Sequence, residues 1–147
     1  MMKKWLFMSV ALVCALFTFS ACGDDDEESF DPSKVNTDIV EKGNTASCSI
    51  SYGTYAETTE FTFDGDKVVK CIQKSTFPSA DAAKIVFEEY KNHVPENELA
   101  LYKLDGNIIT YDMTNEWKDR SKTEAMQYLQ WIKEEAQHFA EEEANRQ

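Results

Sequence analysis

The sequence predicts an α+β fold: an antiparallel sheet of about five strands in the order βββ-α-ββ-α, with the helices packed on one face. Three observations predict it. Apolar residues alternate with polar ones in short stretches between residues 46 and 113. Glycine-bearing turns punctuate those stretches. Two longer segments switch to the 3.6-residue period, each behind a serine placed as a cap. Strand groups that are each followed by a helix make a two-layer sandwich.

The elements follow in order. Ala46, Cys48, Ile50 and Tyr52 alternate with Ser47, Ser49 and Ser51, a half-buried first strand that Gly53 ends. Thr59, Phe61 and Phe63 alternate with Thr58, Glu60 and Thr62 as the second. Asp64-Gly65 reads as a hairpin turn, since glycine takes positive φ without steric cost. Lys67 to Thr76 returns as the third strand, with Val69 and Cys71 expected on one face and Val68 and Ile72 on the other. Ser79 caps a helix with Asp81 in its first turn. Ala83, Val86, Phe87, Tyr90 and Val94 form its apolar stripe, and Pro95 ends it. Leu99 to Leu104 and Ile108 to Met113 are the fourth and fifth strands, joined by Asp105-Gly106-Asn107. Ser121-Lys122-Thr123-Glu124 is a capping box. The helix behind it runs to about Glu143, with Ala125, Tyr128, Leu129, Ile132, Ala136, Phe139 and Ala140 inward.

The N-terminal part reads differently. Lys3 and Lys4 precede an apolar run from Trp5 to Phe19, and Ser20-Ala21 supplies the small residues a signal peptidase accepts. The run is shorter than the ~20 apolar residues a spanning helix needs. Residues 1–21 are therefore expected to be a signal peptide, 22–44 a tether and 45–147 one domain. Residues 29–43 read as polar tether, with Val35, Ile39 and Val40 able to dock.

Phe19-Ser20-Ala21-Cys22-Gly23 resembles the lipobox of bacterial lipoproteins, with Phe19 where that pattern usually has leucine. The resemblance implies lipidation of Cys22 and a partner in the lipid bilayer through its acyl chains, palmitate among them; two or more chains anchor stably. The run Asp24-Asp25-Asp26-Glu27-Glu28 reads as a solvated linker and is also similar to surface-export signals of Bacteroides-type lipoproteins, which implies a cell-envelope, outer-membrane location; display at the cell surface and a periplasm-facing anchor both stand. Residues 63–70, 79–92 and 102–111 together resemble the YehR-like small lipoproteins, which pair a Gly-Asp-Lys-Val hairpin with a helix and a second hairpin. That resemblance implies the α+β fold and no particular activity.

Without the leader, the chain is one domain's worth of residues. The 27 acids against 15 bases give a net charge of −12, which disfavours nucleic acid as a partner. Cys48 and Cys71 remain as a pair in an oxidising compartment. A disulfide between them would add ~3 kcal/mol in the chain-entropy model. In a simple meander, however, their strands lie two spacings apart, roughly 10 Å, beyond disulfide reach. A bridge and two buried thiols both stand as readings.

No nucleophile elbow, phosphate loop, HExxH, EF-hand or CxxC is present, so no catalytic residue, metal or cofactor is expected. His93 suits a helix C-terminus. His138 follows Glu134 and Glu135 at helical spacing, which reads as a solvated face before a metal site. Asp64, Asp66, Asp105 and Asn107 read as turn formers before calcium ligands. Trp117, Trp131, Tyr52 and Tyr55 miss the expected core stripes and are candidate contact aromatics for a glycan, a protein or another small ligand, with a place capping the core edge as the alternative for Trp117. The expectation is a membrane-anchored, non-enzymatic binding module. An envelope hydrolase or thiol-redox enzyme, or a structural accessory subunit of an envelope complex, is the alternative.

Overall fold

The computed structural model describes residues 34–145; the leader, Cys22 and the acidic run lie outside them. The chain folds as α+β, and the described residues form one antiparallel six-stranded sheet. Its strands are β1 (Asn36–Lys42), β2 (Thr45–Tyr52), β3 (Tyr55–Asp64), β4 (Lys67–Thr76), β5 (Tyr102–Asp105) and β6 (Ile108–Asp112). Their spatial order is β1-β2-β3-β4-β6-β5. The first four form a meander; the chain then reaches the far edge as β5 and turns back as β6, which pairs with β4.

The sixth strand is the one not expected. Residues 36–42, read as tether, pair with all of β2, from Asn36↔Ser51 to Lys42↔Thr45. The turn between them uses Gly43 at φ +60°, open to that residue because it has no Cβ. Period two then continues backwards: Ile39 packs on the core and Val40 faces out.

Two long helices cover one face of the sheet. Helix α1 (Ala80–His93) lies over β6 and β5, and α4 (Lys122–Asn145) lies chiefly over β1 and β2. Both caps form as the serines dictate. Ser79 Oγ accepts from the Ala82 N–H at 3.1 Å. Ser121 Oγ accepts from the Glu124 N–H at 3.1 Å, and Glu124 accepts in return from the Ser121 N–H at 3.0 Å. Short helices α2 (Glu96–Leu99) and α3 (Thr114–Trp117) connect the rest. Leu99 thus ends a helical turn started by Pro95 instead of opening the fourth expected strand.

A bulge corrects the expected facing of β4. Thr62 pairs with Lys70 but Phe63 pairs with Val68, so Val69 is an extra residue in the ladder. Val68 and Cys71 consequently both point inward, at 0% exposure, while Val69 is 43% exposed. The stretch after α3 partners this irregular end: the Val68 N–H donates to Arg120 O and the Asp119 N–H to Val68 O. The core is one cluster of Tyr52, Tyr55, Phe61, Val68, Phe77, Val86, Leu129 and Ile132 with their neighbours.

Candidate functional site

Polar groups concentrate in the middle of the covered face. Alternation on β3 turns Tyr55, Glu57, Thr59, Phe61 and Phe63 inward. Glu57, Thr59 and Ser75 are buried on that face. The register aligns them into two rows. One runs Ile50, Glu57, Ser75, Ile109, Leu104 across β2, β3, β4, β6 and β5. The next runs Cys48, Thr59, Gln73, Tyr111, Tyr102. The polar stretch sits on β3 and β4, between the strands that α4 mainly covers and those α1 covers.

Tyrosines surround it. The Tyr55 hydroxyl donates a short hydrogen bond to Glu57 Oε1. Tyr102 and Tyr111 stack face to face, centroids 4.3 Å apart, and Tyr90 from α1 packs on Tyr102 at 5.1 Å. Tyr128 from α4 packs against Trp117 at 4.9 Å and Phe61 at 6.2 Å. The Tyr111 hydroxyl reaches Glu116 Oε1 at 3.4 Å.

The electrostatics keep these phenols neutral. Burial pushes the pKa values of Tyr55 and Tyr90 well above the ordinary phenol range, and the Glu57 charge adds to it. Burial does the same to Tyr128 and Tyr102. Tyr111 is pushed up to about 12 by burial, then by the Glu116 charge. These groups serve as hydrogen-bond donors and apolar surface, and a phenolate base or nucleophile is disfavoured at neutral pH.

The cysteines point the same way. Cys48 on β2 and Cys71 on β4 are buried free thiols, with β3 between them. Burial raises Cys48 to about 11 and Cys71 further still. The thiolate that redox or nucleophilic chemistry needs is suppressed at both.

The other residues singled out in the sequence are placed as follows. Tyr55 and Trp117 are core residues, 0% and 2% exposed, and Tyr52 is buried beside Tyr55. Tyr55 is inward because β3 starts three residues earlier than the apolar pattern suggests. Trp117 is inward because α3 carries it onto Phe61 at 4.8 Å, with the Arg120 guanidinium 4.9 Å from the centroid of its ring. Trp131 is half-buried and stacks on Tyr128. Tyr52, Tyr55 and Trp117 belong to the core, and Trp131 packs against it. His93 Nδ1 contacts Glu89 O at 2.9 Å, one turn back in α1. His138 lies nearest Glu142, at 3.7 Å, instead of Glu134 or Glu135. Asn107 donates to Phe77 O at 2.9 Å, a structural bond. Among the described residues no group of three or more His, Cys, Asp or Glu side chains is arranged to hold a metal.

Sequence reasoning missed Glu57 and the inward facing of Tyr55 beside it. The signal was present: extending the Thr59-Phe61-Phe63 alternation back by two and four residues puts Glu57 and Tyr55 on the inner face. No family model matches this chain, and no curated protein or solved structure is significantly similar to it.

Proposed function

We propose that this chain is a lipid-anchored protein of a bacterial cell envelope whose small domain is a non-enzymatic binding module. The observation that carries the reading is Cys22 in its setting: two lysines, an apolar run and Ser20-Ala21 before it, five consecutive acids after Gly23. The anchor is an outer-membrane one, and the acidic run supports surface display. No helix among the described residues is long and apolar enough to cross a membrane. In this reading the attachment is through acyl chains on Cys22.

Two features of the domain support the binding half of the reading. The buried thiols and phenols are held protonated, which disfavours the thiol-redox alternative. Neither long helix covers the second face of the sheet. That face presents Ser47, Ser49, Thr58, Thr62, Lys70 and Lys74 in rows, a broad polar surface for another molecule.

The eleven residues between Cys22 and Lys34 span at most about 40 Å when extended. The domain would therefore work close to the bilayer. The test is membrane fractionation with mass spectrometry of the N-terminal peptide. The wild-type chain should be membrane-bound, begin at Cys22 and carry added acyl mass, while Cys22→Ser should lose the lipid. An unmodified Cys22 in membrane-bound material would refute the anchor. Turnover of an envelope substrate by the purified protein, abolished by Glu57→Gln, would refute the non-enzymatic part.

A further inference from the structure

We propose that two copies of this chain join through their β1 strands, in antiparallel register about Val40, to form one continuous sheet. The sheet has two edges, β1 and β5. β5 has four residues, whereas β1 has seven, and its outer side pairs with no strand among the described residues. An open edge is a row of unpaired N–H and C=O groups, ready to take another strand. Charged residues on an edge usually oppose such pairing. Here their order makes the strand complementary to itself.

Val40 is 47% exposed and one of three exposed large apolar side chains among the described residues. Asp38 and Lys42 lie two residues to either side of it and are also exposed. Neither makes an ion pair among the described residues. A two-fold axis through Val40 places Val40 against Val40 and each Asp38 against the partner copy's Lys42, all on the sheet's open face. Glu41, Thr37 and Ile39 face the other way: Glu41 reaches Lys122 at 3.6 Å, Thr37 accepts from Gln137 at 3.2 Å, and Ile39 packs on the core.

The hydrogen-bond ladder permits this register. Lys42 and Thr45 flank a two-residue turn, so they form a hydrogen-bonded pair, as do Val40 with Ser47 and Asp38 with Ser49. The N–H and C=O groups of Thr37, Ile39 and Glu41 are then the ones that point off the edge. In the proposed register Ile39 bonds to Glu41 of the second copy, twice. Val40–Val40 becomes a non-hydrogen-bonded pair, with Cα atoms about 4.5 Å apart. Because α4 lies over β1 and β2, the two copies' α4 axes come roughly 10 Å apart, a packing distance for helices. The arrangement closes on itself, as a two-fold interface must.

The test is oxidative crosslinking of the full chain as expressed, read on non-reducing gels. Val40→Cys should give a reducible dimer several-fold above Ile85→Cys, a control at a site of nearly equal exposure (49%) on α1. Lys42→Asp in the Val40→Cys chain should abolish the dimer, and adding Asp38→Lys should restore it. Crosslinking of Val40→Cys no greater than that of Ile85→Cys would overturn the proposal. So would a double reversal that fails to rescue. Ile85→Cys carries the same Cys22, so the comparison cancels any crosslink through that residue, and failure of the lipid anchor and failure of the dimer are distinguishable.

Discussion

Glu57 shows how much one side chain can impose on its surroundings. A carboxylate withdrawn from water costs several kcal/mol unless hydrogen bonds replace its hydration. The Tyr55 hydroxyl is one such replacement, and because Tyr55 is itself wholly buried, donor and acceptor depend on each other. Replacing Tyr55 by Phe keeps the ring and its packing on Phe77 at 5.2 Å while removing the donor. We expect Tyr55→Phe to destabilise the domain by about 1–3 kcal/mol, the range for leaving a buried acceptor short of a partner. Urea unfolding checks it; a neutral or stabilising result would mean that Glu57 does not rely on Tyr55. The residue was legible in the sequence only through parity. Alternation placed Thr59, Phe61 and Phe63 inward, and the same step of two reaches Glu57, but a glutamate and a threonine-rich flank suppress the hydrophobic signal there.

At the scale of elements, local chemistry was the better guide. The serine caps form at Ser79 and Ser121, and both apolar stripes face the sheet. Each decision is made within one or two turns of helix. The capping box predicts that Ser121→Ala lowers stability by about 0.5–2 kcal/mol, through the lost acceptor for the Glu124 N–H. A thermal melt no lower than wild type would show that Glu124 alone secures the start of α4. Strands were read less well where the deciding partner is distant. β1 carries Thr, Asp, Glu and Lys among its apolar residues, so in isolation it resembles a linker. Pairing with β2 decides it. The Val69 bulge is likewise invisible along the chain, because the residue it displaces is defined by Phe63 on the neighbouring strand.

For the whole molecule, the distribution of neutral titratable groups sets its behaviour in base. Tyr55, Tyr90, Tyr102, Tyr111 and Tyr128 all lose protons less readily when folded, with burial as the leading cause. A folded pKa above the unfolded value of about 10 means the contribution to stability is fully present below pH ~10 and is lost as pH rises above it. We therefore expect cooperative alkaline unfolding, with the tyrosinate absorbance at about 295 nm rising together with the loss of helical circular dichroism. Independent titration of most tyrosines near pH ~10 in a still-folded chain would contradict this. Cys48, raised to about 11, should become accessible to thiol reagents in the same transition.

The α+β class, the helices with their caps and inward stripes, two of the hairpin turns, and the features around Cys22 from which an anchor is proposed were all legible along the chain. All of these depend on residues close together along the chain. Only tertiary structure decided the sixth strand, the insertion of β6 between β4 and β5, the inward turn of Val68 beside Cys71, and the burial of Trp117. Those outcomes depend on which strand or ring lies opposite, and the opposing residue comes from far along the chain. Cys71 O, for example, accepts from the Met113 N–H, and Thr37 from Gln137.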